Sequence, residues 1–169
     1  MKGIWEGLSI PPFIGDGPEA NLRKRVACKW HPPGKGWLKL NFDGASRGNP
    51  RVVGIGCSIH NWEGKEIFLR AHPIGIKTNN WVELVTLLEG LNLCKKMGVK
   101  NLDIEGDSTI TINALRKGSI PNWRLNSLLT WAIELCKGYE RFMINHIYRE
   151  GNKRAHELAN LGADDIHLP

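Results

Sequence analysis

The sequence predicts an α/β domain built on a mixed five-stranded sheet with helices on both faces. Within residues 36–72, three segments that alternate apolar and polar residues are joined by short turns, which is typical of an antiparallel meander. From Leu84 onward apolar residues recur at helical spacing, and helical segments then alternate with two further strands. The resulting order, three strands followed by alternating helices and strands, predicts helices packed on both sides of one sheet.

Five segments carry the strand pattern. In the first, Leu38, Leu40 and Phe42 alternate with polar residues, and the second contains Gly54 and Gly56, which permit close approach of another backbone. The predicted strands cover residues 37–43, 52–60, 66–72, 99–106 and 142–148, with residues 44–50 as a loop.

Four segments carry a helical stripe. The long first helix has its stripe between Leu84 and Cys94 and ends at Gly98. Ser108 is expected to cap a short helix that ends at Gly118, and Asn152 is expected to cap the last one. The remaining stripe is formed by residues 125, 128, 129, 132 and 136.

The chain has 169 residues, enough for one domain, and residues 36–165 are predicted to form it. Residues 1–35 contain five of the nine prolines and are interpreted as an N-terminal extension or linker. No apolar run is long enough to span a membrane, and residues 1–14 lack the pattern of a secretory signal. We therefore expect an intracellular monomer, nuclear or cytoplasmic.

Charge and cysteine content narrow the function classes. The formal net charge of +6 permits a polyanionic partner without requiring one. The four cysteines are far apart and form no CxxC pair, which argues against a zinc site or a disulfide framework.

Three carboxylates stand at positions where the predicted elements could bring them together. Asp43 and Asp107 lie at the ends of the first and fourth strands, and Glu83 lies in the first turn of the long helix. Clustered carboxylates repel one another unless a cation lies between them, and Mg²⁺ prefers such oxygen ligands. Spacing alone leaves open that all three are ordinary surface groups. Asp103 and Glu105, on the same face, are expected to be solvated.

A resemblance favours the functional interpretation. The four motifs of a ribonuclease H domain of type 1 are similar, in order, to LKLNFDGASRGNP (38–50), TNNWVELVTLLEGL (78–91), IEGDSTITINAL (104–115) and HIYREGNKRAHELANLGA (146–163). With WHPPGKGWLKLN (30–41) before them, the chain most resembles the plant domains related to non-LTR retrotransposon reverse transcriptases.

The resemblance implies a ribonuclease H-like fold, with three antiparallel and two parallel strands, and hydrolysis of the RNA strand of RNA–DNA hybrids with two Mg²⁺ ions. Mn²⁺ is the alternative ion. The implied catalytic and metal-binding residues are Asp43, Glu83, Asp107 and His156. Family members usually have aspartate at the last position, and a neutral imidazole prefers softer ions than Mg²⁺. Activity therefore stays open, and the alternative is a weak or inactive domain that binds nucleic acid or regulates.

The resemblance also implies contacts with RNA–DNA hybrid or RNA. Such contacts read helix form and backbone instead of sequence. For the two asparagines of the helical motif, helix capping is an equally open interpretation. The implied nucleic-acid-binding residues are Gly44, Ser46, Arg47, Asn49, Asn79 and Asn80.

Overall fold

A computed structural model describes residues 28–47 and 52–165. Its strands are β1 (Leu38–Arg47), β2 (Val52–His60), β3 (Glu66–Pro73), β4 (Asn101–Gly106) and β5 (Arg141–His146). Its helices are α1 (Asn79–Lys96), α2 (Thr109–Lys117), α3 (Asn126–Lys137) and α4 (Lys153–Ala163), with a 3₁₀ turn at Trp123–Leu125.

The sheet has the strand order β3-β2-β1-β4-β5. Strands β1, β2 and β3 pair antiparallel, whereas β4 pairs parallel with both β1 and β5. The predicted mixed five-stranded sheet is thus confirmed. Parallel pairing of β1 with β4 brings the carboxyl end of β4, at Gly106, beside Phe42 of β1.

Small residues allow helices to pack closely on both faces. A Cβ atom added to Gly54 or Gly56 of β2 would collide with the backbone of α4 at Ala159 or Ala163. On the other face, a Cβ atom added to Gly90 of α1 would collide with Leu40. Only glycine therefore fits where α4 crosses β2 and where α1 crosses β1.

The alternation of β1 and β4 separates an apolar face from a polar one. Leu40 and Phe42 of β1, with Leu102 and Ile104 of β4, are fully buried in the main core with α1, α2 and α3. The intervening residues of both strands face the opposite side. This second side carries the polar residues on which the site is built.

The structure extends or shortens some predicted elements. Residues 44–47, expected in a loop, continue β1 because they pair with Ile55, Gly54, Val53 and Val52 of β2. Strand β4 begins later than expected, and β5 ends at His146. None of the helices within the described ranges is both long and apolar enough to cross a membrane.

The predicted helix ends are mostly confirmed. Gly98 and Gly118 follow α1 and α2 with φ of 71° and 73°, a conformation that favours glycine. The Ser108 hydroxyl accepts the backbone N–H of Thr111, as a capping residue does. Asn152 occupies the N-cap position of α4, as expected, but its side chain makes no capping bond and donates instead to the carbonyl of Phe42 in β1, at 3.0 Å.

Candidate active site

Three carboxylates meet where the carboxyl end of β4 lies beside the middle of β1. Asp43 lies in β1, and Asp107 follows the last residue of β4, which pairs with Phe42. Glu83, expected in the first turn of α1, lies just beyond it, at the fifth residue of the helix, and accepts the backbone N–H of Gly44 at 3.4 Å. One oxygen from each of Asp43, Glu83 and Asp107 lies within 4.8 Å of the others. We call these three residues the open cluster.

Burial makes the negative charge of the open cluster costly. Desolvation, together with the charge of Asp107, raises the pKa of Asp43 to about 6, and His156 partly offsets the shift. Desolvation also raises the pKa of Glu83 well above its ordinary value, with added repulsion from Asp43 and Asp107. In the protein alone, the two groups therefore hold protons more tightly than exposed carboxyls do.

Two oxygens of the open cluster lack hydrogen-bond donors. Asp43 Oδ1 and Glu83 Oε2 are buried, and neither accepts a hydrogen bond from the residues that the structure describes. A buried oxygen without a donor costs free energy, and a bound cation would remove that cost. The donor set of carboxylate oxygens suits a hard divalent cation such as Mg²⁺ or Mn²⁺.

Two basic side chains border the open cluster. The Nδ1 atom of His156, in the first turn of α4, lies 2.7 Å from Asp43 Oδ2. When Asp43 is ionised, its carboxylate can only accept a hydrogen bond, and Nδ1 is then the donor in this contact. Arg149, exposed in the loop before α4, places Nε 3.4 Å from Asp107 Oδ2. His156 thus lies beside the open cluster and contacts it through Asp43.

A second group of polar and charged residues lies on the same face of the sheet. Its members in β1 and β4 precede Asp43 and Asp107 by two or four residues. Lys39 Nζ lies 3.2 Å from Asp103 Oδ2 and 2.8 Å from Glu105 Oε1. Asn41 donates to Glu105 Oε2 at 3.0 Å, and Asn145 donates to Asp103 Oδ1 at 2.9 Å. We call these five residues the closed cluster.

The expectation that Asp103 and Glu105 are solvated is wrong. They are 5% and 9% exposed, respectively. Register explains the error, since Lys39 pairs with Asp103 and Asn41 pairs with Glu105 across β1 and β4. A cation and amide donors from the neighbouring strand make burial of both carboxylates tolerable.

The residues expected to contact nucleic acid lie in two places. Gly44 is covered by Val82 of α1, and its N–H is directed to Glu83. Ser46 is exposed, and Arg47 forms an ion pair with Asp164 at 3.2 Å. Asn49 lies outside the described residues.

The two asparagines of the helical motif begin α1. Asn79 is exposed and Asn80 is half-buried. The N-cap position of α1 belongs to Thr78, whose side chain makes no capping hydrogen bond, and Asn79 and Asn80 are the first two residues of the helix itself. Both remain candidates for a contact with nucleic acid.

Sequence reasoning did not single out Lys39, Asn41 or Arg149, and it assigned Asn152 only the role of a helix cap. The signal for Lys39 and Asn41 was present, because both alternate with the core residues of β1. What was missing was the register that places them opposite Asp103 and Glu105. Arg149 and Asn152 lie in or next to a loop, where no periodicity indicates a direction.

Comparison with known proteins gives the chain a family. Residues 41–162 match the model of the family described as reverse transcriptase-like. Ribonuclease HI of Halobacterium salinarum is 31% identical over 137 residues, which cover 79% of this chain and 68% of that protein. A putative ribonuclease H protein of Arabidopsis thaliana is 32% identical over 78% of this chain, which spans only 21% of that protein.

Solved structures agree with the sequence matches. The crystal structure of RNase H1 from Halobacterium salinarum superposes with a TM-score of 0.71 at 32% identity, covering 76% of this chain and 98% of that one. LC11-RNase H1, crystallised in complex with an RNA/DNA hybrid, gives a TM-score of 0.69 at 26% identity over 75% and 96% of the two chains. With its mixed sheet and its acidic edge, the chain therefore belongs to the reverse transcriptase-like family of ribonuclease H domains.

Proposed function

We propose that this domain is a metal-dependent endonuclease that hydrolyses the RNA strand of RNA–DNA hybrids. The observation that carries the proposal is the open cluster, in which three carboxylates converge and two buried oxygens lack donors. Its relatives named ribonuclease H, and a neighbour crystallised with an RNA/DNA hybrid, support this substrate class.

Asp43, Glu83 and Asp107 would hold the divalent ion. A bound ion of this kind polarises a phosphoryl oxygen and lowers the pKa of water. Contacts within the protein hold these carboxylates in position. The N–H of Gly44 fixes Glu83 against β1, and burial keeps bulk water from Asp43. Arg149 and Asn79, both exposed, would donate to phosphate groups of the substrate.

A second candidate function is a weakened or inactive domain that binds nucleic acid. The observation that favours it is the hydrogen bond from His156 Nδ1 to Asp43 Oδ2, at 2.7 Å. A proton held between these atoms competes with a metal ion for the same oxygen. If His156 ligates an ion at all, it offers a neutral nitrogen, which Mg²⁺ accepts less readily than Mn²⁺.

One comparison of variants separates the two functions. Wild type and His156→Asp are assayed for cleavage of a labelled RNA–DNA hybrid in Mg²⁺ and, separately, in Mn²⁺. Wild type should cleave slowly or not at all in Mg²⁺ and faster in Mn²⁺, and His156→Asp should gain activity in Mg²⁺. Asp43→Asn combined with His156→Asp is the control, and it should abolish the gain.

The outcomes are distinct. Full activity of wild type in Mg²⁺ would show that His156 is no impairment. Absence of cleavage in every variant and both metals, with hybrid binding retained, would favour the binding domain. In either case, hybrid affinity should fall steeply with salt and depend little on base sequence, because contacts with the backbone dominate.

A further inference from the structure

The segment before β1 contacts the polar face of the sheet, chiefly through Trp30. We call residues 28–31 the strap. The indole N–H of Trp30 donates to Asn41 Oδ1 at 2.8 Å, and its ring lies against the ring of His60, with centroids 4.7 Å apart. The carbonyl of His31 accepts Lys39 Nζ at 2.8 Å. The strap therefore contacts two residues of the closed cluster.

The hydrogen bond from Trp30 determines how the amide of Asn41 is oriented. An indole nitrogen can only donate, so it requires the oxygen of the amide. The NH₂ group then faces the other way, where it donates to Glu105 Oε2 at 3.0 Å and to Asn152 Oδ1 at 3.2 Å. A flipped amide would put its oxygen against the carboxylate of Glu105, which is unfavourable in a site that is 2% exposed at Asn41.

Asn152 carries this orientation to the open cluster. It accepts from Asn41, and it donates to the carbonyl of Phe42, the residue immediately before Asp43. Asn152 is also the residue from which α4 begins, and it is 2% exposed. One turn later on α4, His156 contacts Asp43. The two hydrogen bonds of Asn152 thus hold the start of α4 against β1 on the approach to Asp43.

We propose that Trp30 is a positioning residue for the open cluster, acting through Asn41 and Asn152 on the placement of Asp43 and His156. The strap is then part of the functional unit and not only a connection to what precedes it. The inference rests on the proposed function in one respect, namely that the open cluster binds a divalent ion. Trp30 itself touches none of the three carboxylates.

The test uses Trp30→Phe in the full chain, which keeps an aromatic ring and removes the N–H. Trp37→Phe is the matched control, because Trp37 is only seven residues further along the chain and its ring contacts Arg141 instead of the closed cluster. Its indole nitrogen makes no hydrogen bond with any residue in the described part of the chain. Mg²⁺ and Mn²⁺ affinity is measured by titration calorimetry, alongside thermal melting. We expect Trp30→Phe to weaken ion binding by about three- to tenfold and Trp37→Phe to leave it unchanged.

A second measurement needs no variant of Trp30 to fold. Coupling between two sites is reciprocal, so a change at the open cluster should be felt at Trp30. In wild type, Mg²⁺ should shift the indole N–H resonance of Trp30 and the side-chain amide resonances of Asn41 and Asn152, but not the indole resonance of Trp37. If no ion binds, Asp43→Asn provides the change, and the same resonances should move.

The results separate a positioning role from simple packing. Equal ion affinity in Trp30→Phe and Trp37→Phe, whatever their melting temperatures, would overturn the proposal. So would an indole resonance of Trp30 that stays in place on ion binding or in Asp43→Asn. Failure of every variant to cleave hybrid would contradict the proposed function and leave this coupling measurable. Failure to bind ions would contradict the metal site. The coupling would still be tested by comparing the Trp30 resonance of wild type with that of Asp43→Asn.

Discussion

The open and closed clusters are neighbours beside β1 and β4, and they differ in whether their buried carboxylate oxygens have hydrogen-bond donors. In the closed cluster, Lys39 and the amides of Asn41 and Asn145 satisfy two buried carboxylates. In the open cluster, three carboxylates converge and two of their buried oxygens have no donor among the described residues. The comparison teaches that a candidate metal site is marked by buried carboxylate oxygens without donors and not by the number of acids.

The largest effect on stability should come from removing the cation of the closed cluster. Lys39→Met leaves Asp103 and Glu105 buried without a positive partner, which typically costs about 3–5 kcal/mol of the free energy of unfolding. Urea denaturation measures the change. Lys95→Met, at the exposed end of α1, is the control and should change the free energy by less than about 0.5 kcal/mol. A loss in Lys39→Met no larger than in the control would mean that the closed cluster is not charge-balanced.

The open cluster should respond to loss of a charge in the opposite direction. Asp43→Asn removes a carboxylate whose pKa is raised to about 6, so the metal-free protein should keep its stability or gain up to about 3 kcal/mol at pH 7. Any cleavage of hybrid should be lost at the same time. Denaturation in the presence of chelator measures the stability, and a cleavage assay of the same protein with metal ions added measures the activity. A marked loss of stability would place Asp43 among structural carboxylates.

The stability of the metal-free protein should also depend on pH, because ionisation of Asp43 is unfavourable in the folded state. Since folding raises the pKa of Asp43 from 3.8 to about 6, the folded state binds more protons than the unfolded state between these values. The contribution of Asp43 to stability is therefore present at low pH and is lost as pH rises through about 6. Between pH 5 and 7 we expect wild type without metal to lose about 1 kcal/mol relative to Asp43→Asn. Identical pH profiles of the two proteins in chelator would contradict the raised pKa.

The smallest effect should come from Arg149, at the exposed rim of the open cluster. Its ion pair with Asp107 has an arginine side chain that is 68% exposed, so Arg149→Ala should change the free energy of unfolding by less than about 1 kcal/mol. If the exposed guanidinium meets a phosphate of the substrate, the variant should instead weaken binding of hybrid and reduce the dependence of binding on salt. Affinity measured at several salt concentrations tests this. An unchanged salt dependence would remove Arg149 from the interface.

Local sequence patterns predicted much of the fold, because they depend on neighbours in the chain. Alternation in β1 and helical spacing in α1 are properties of single segments, and Gly98 and Gly118 need only a local φ. The turn-rich residues 44–47 were misread because their pairing with β2 depends on the register of another strand. A glycine followed by small polar residues indicates a loop only when no partner strand is considered.

The candidate site was predicted in part, for the same reason. The sequence pattern placed Asp43 and Asp107 at strand ends. In the structure β1 continues four residues beyond Asp43, and its parallel pairing with β4 brings Asp107 close to Asp43. Whether an acid on that face is neutralised depends on Lys39, which is 64 residues from Asp103 in the sequence and paired with it in the sheet. The sequence indicated the position of Asn152 at the start of a helix but not its contact with Phe42, because that contact joins residues 110 apart. Such long-range contacts leave no periodic trace in the sequence.

The most direct test of the central claim is the effect of Mg²⁺ on melting temperature at pH 7. An ion that binds only the folded state raises its stability, and the open cluster supplies the ligands. Mg²⁺ should raise the melting temperature of wild type and of Asp103→Asn, whose change lies in the closed cluster at a residue that makes no hydrogen bond with Asn41, and should leave Asp43→Asn unaffected. An equal rise in Asp43→Asn, or no rise in wild type with either Mg²⁺ or Mn²⁺, would contradict the claim that the open cluster is a metal site.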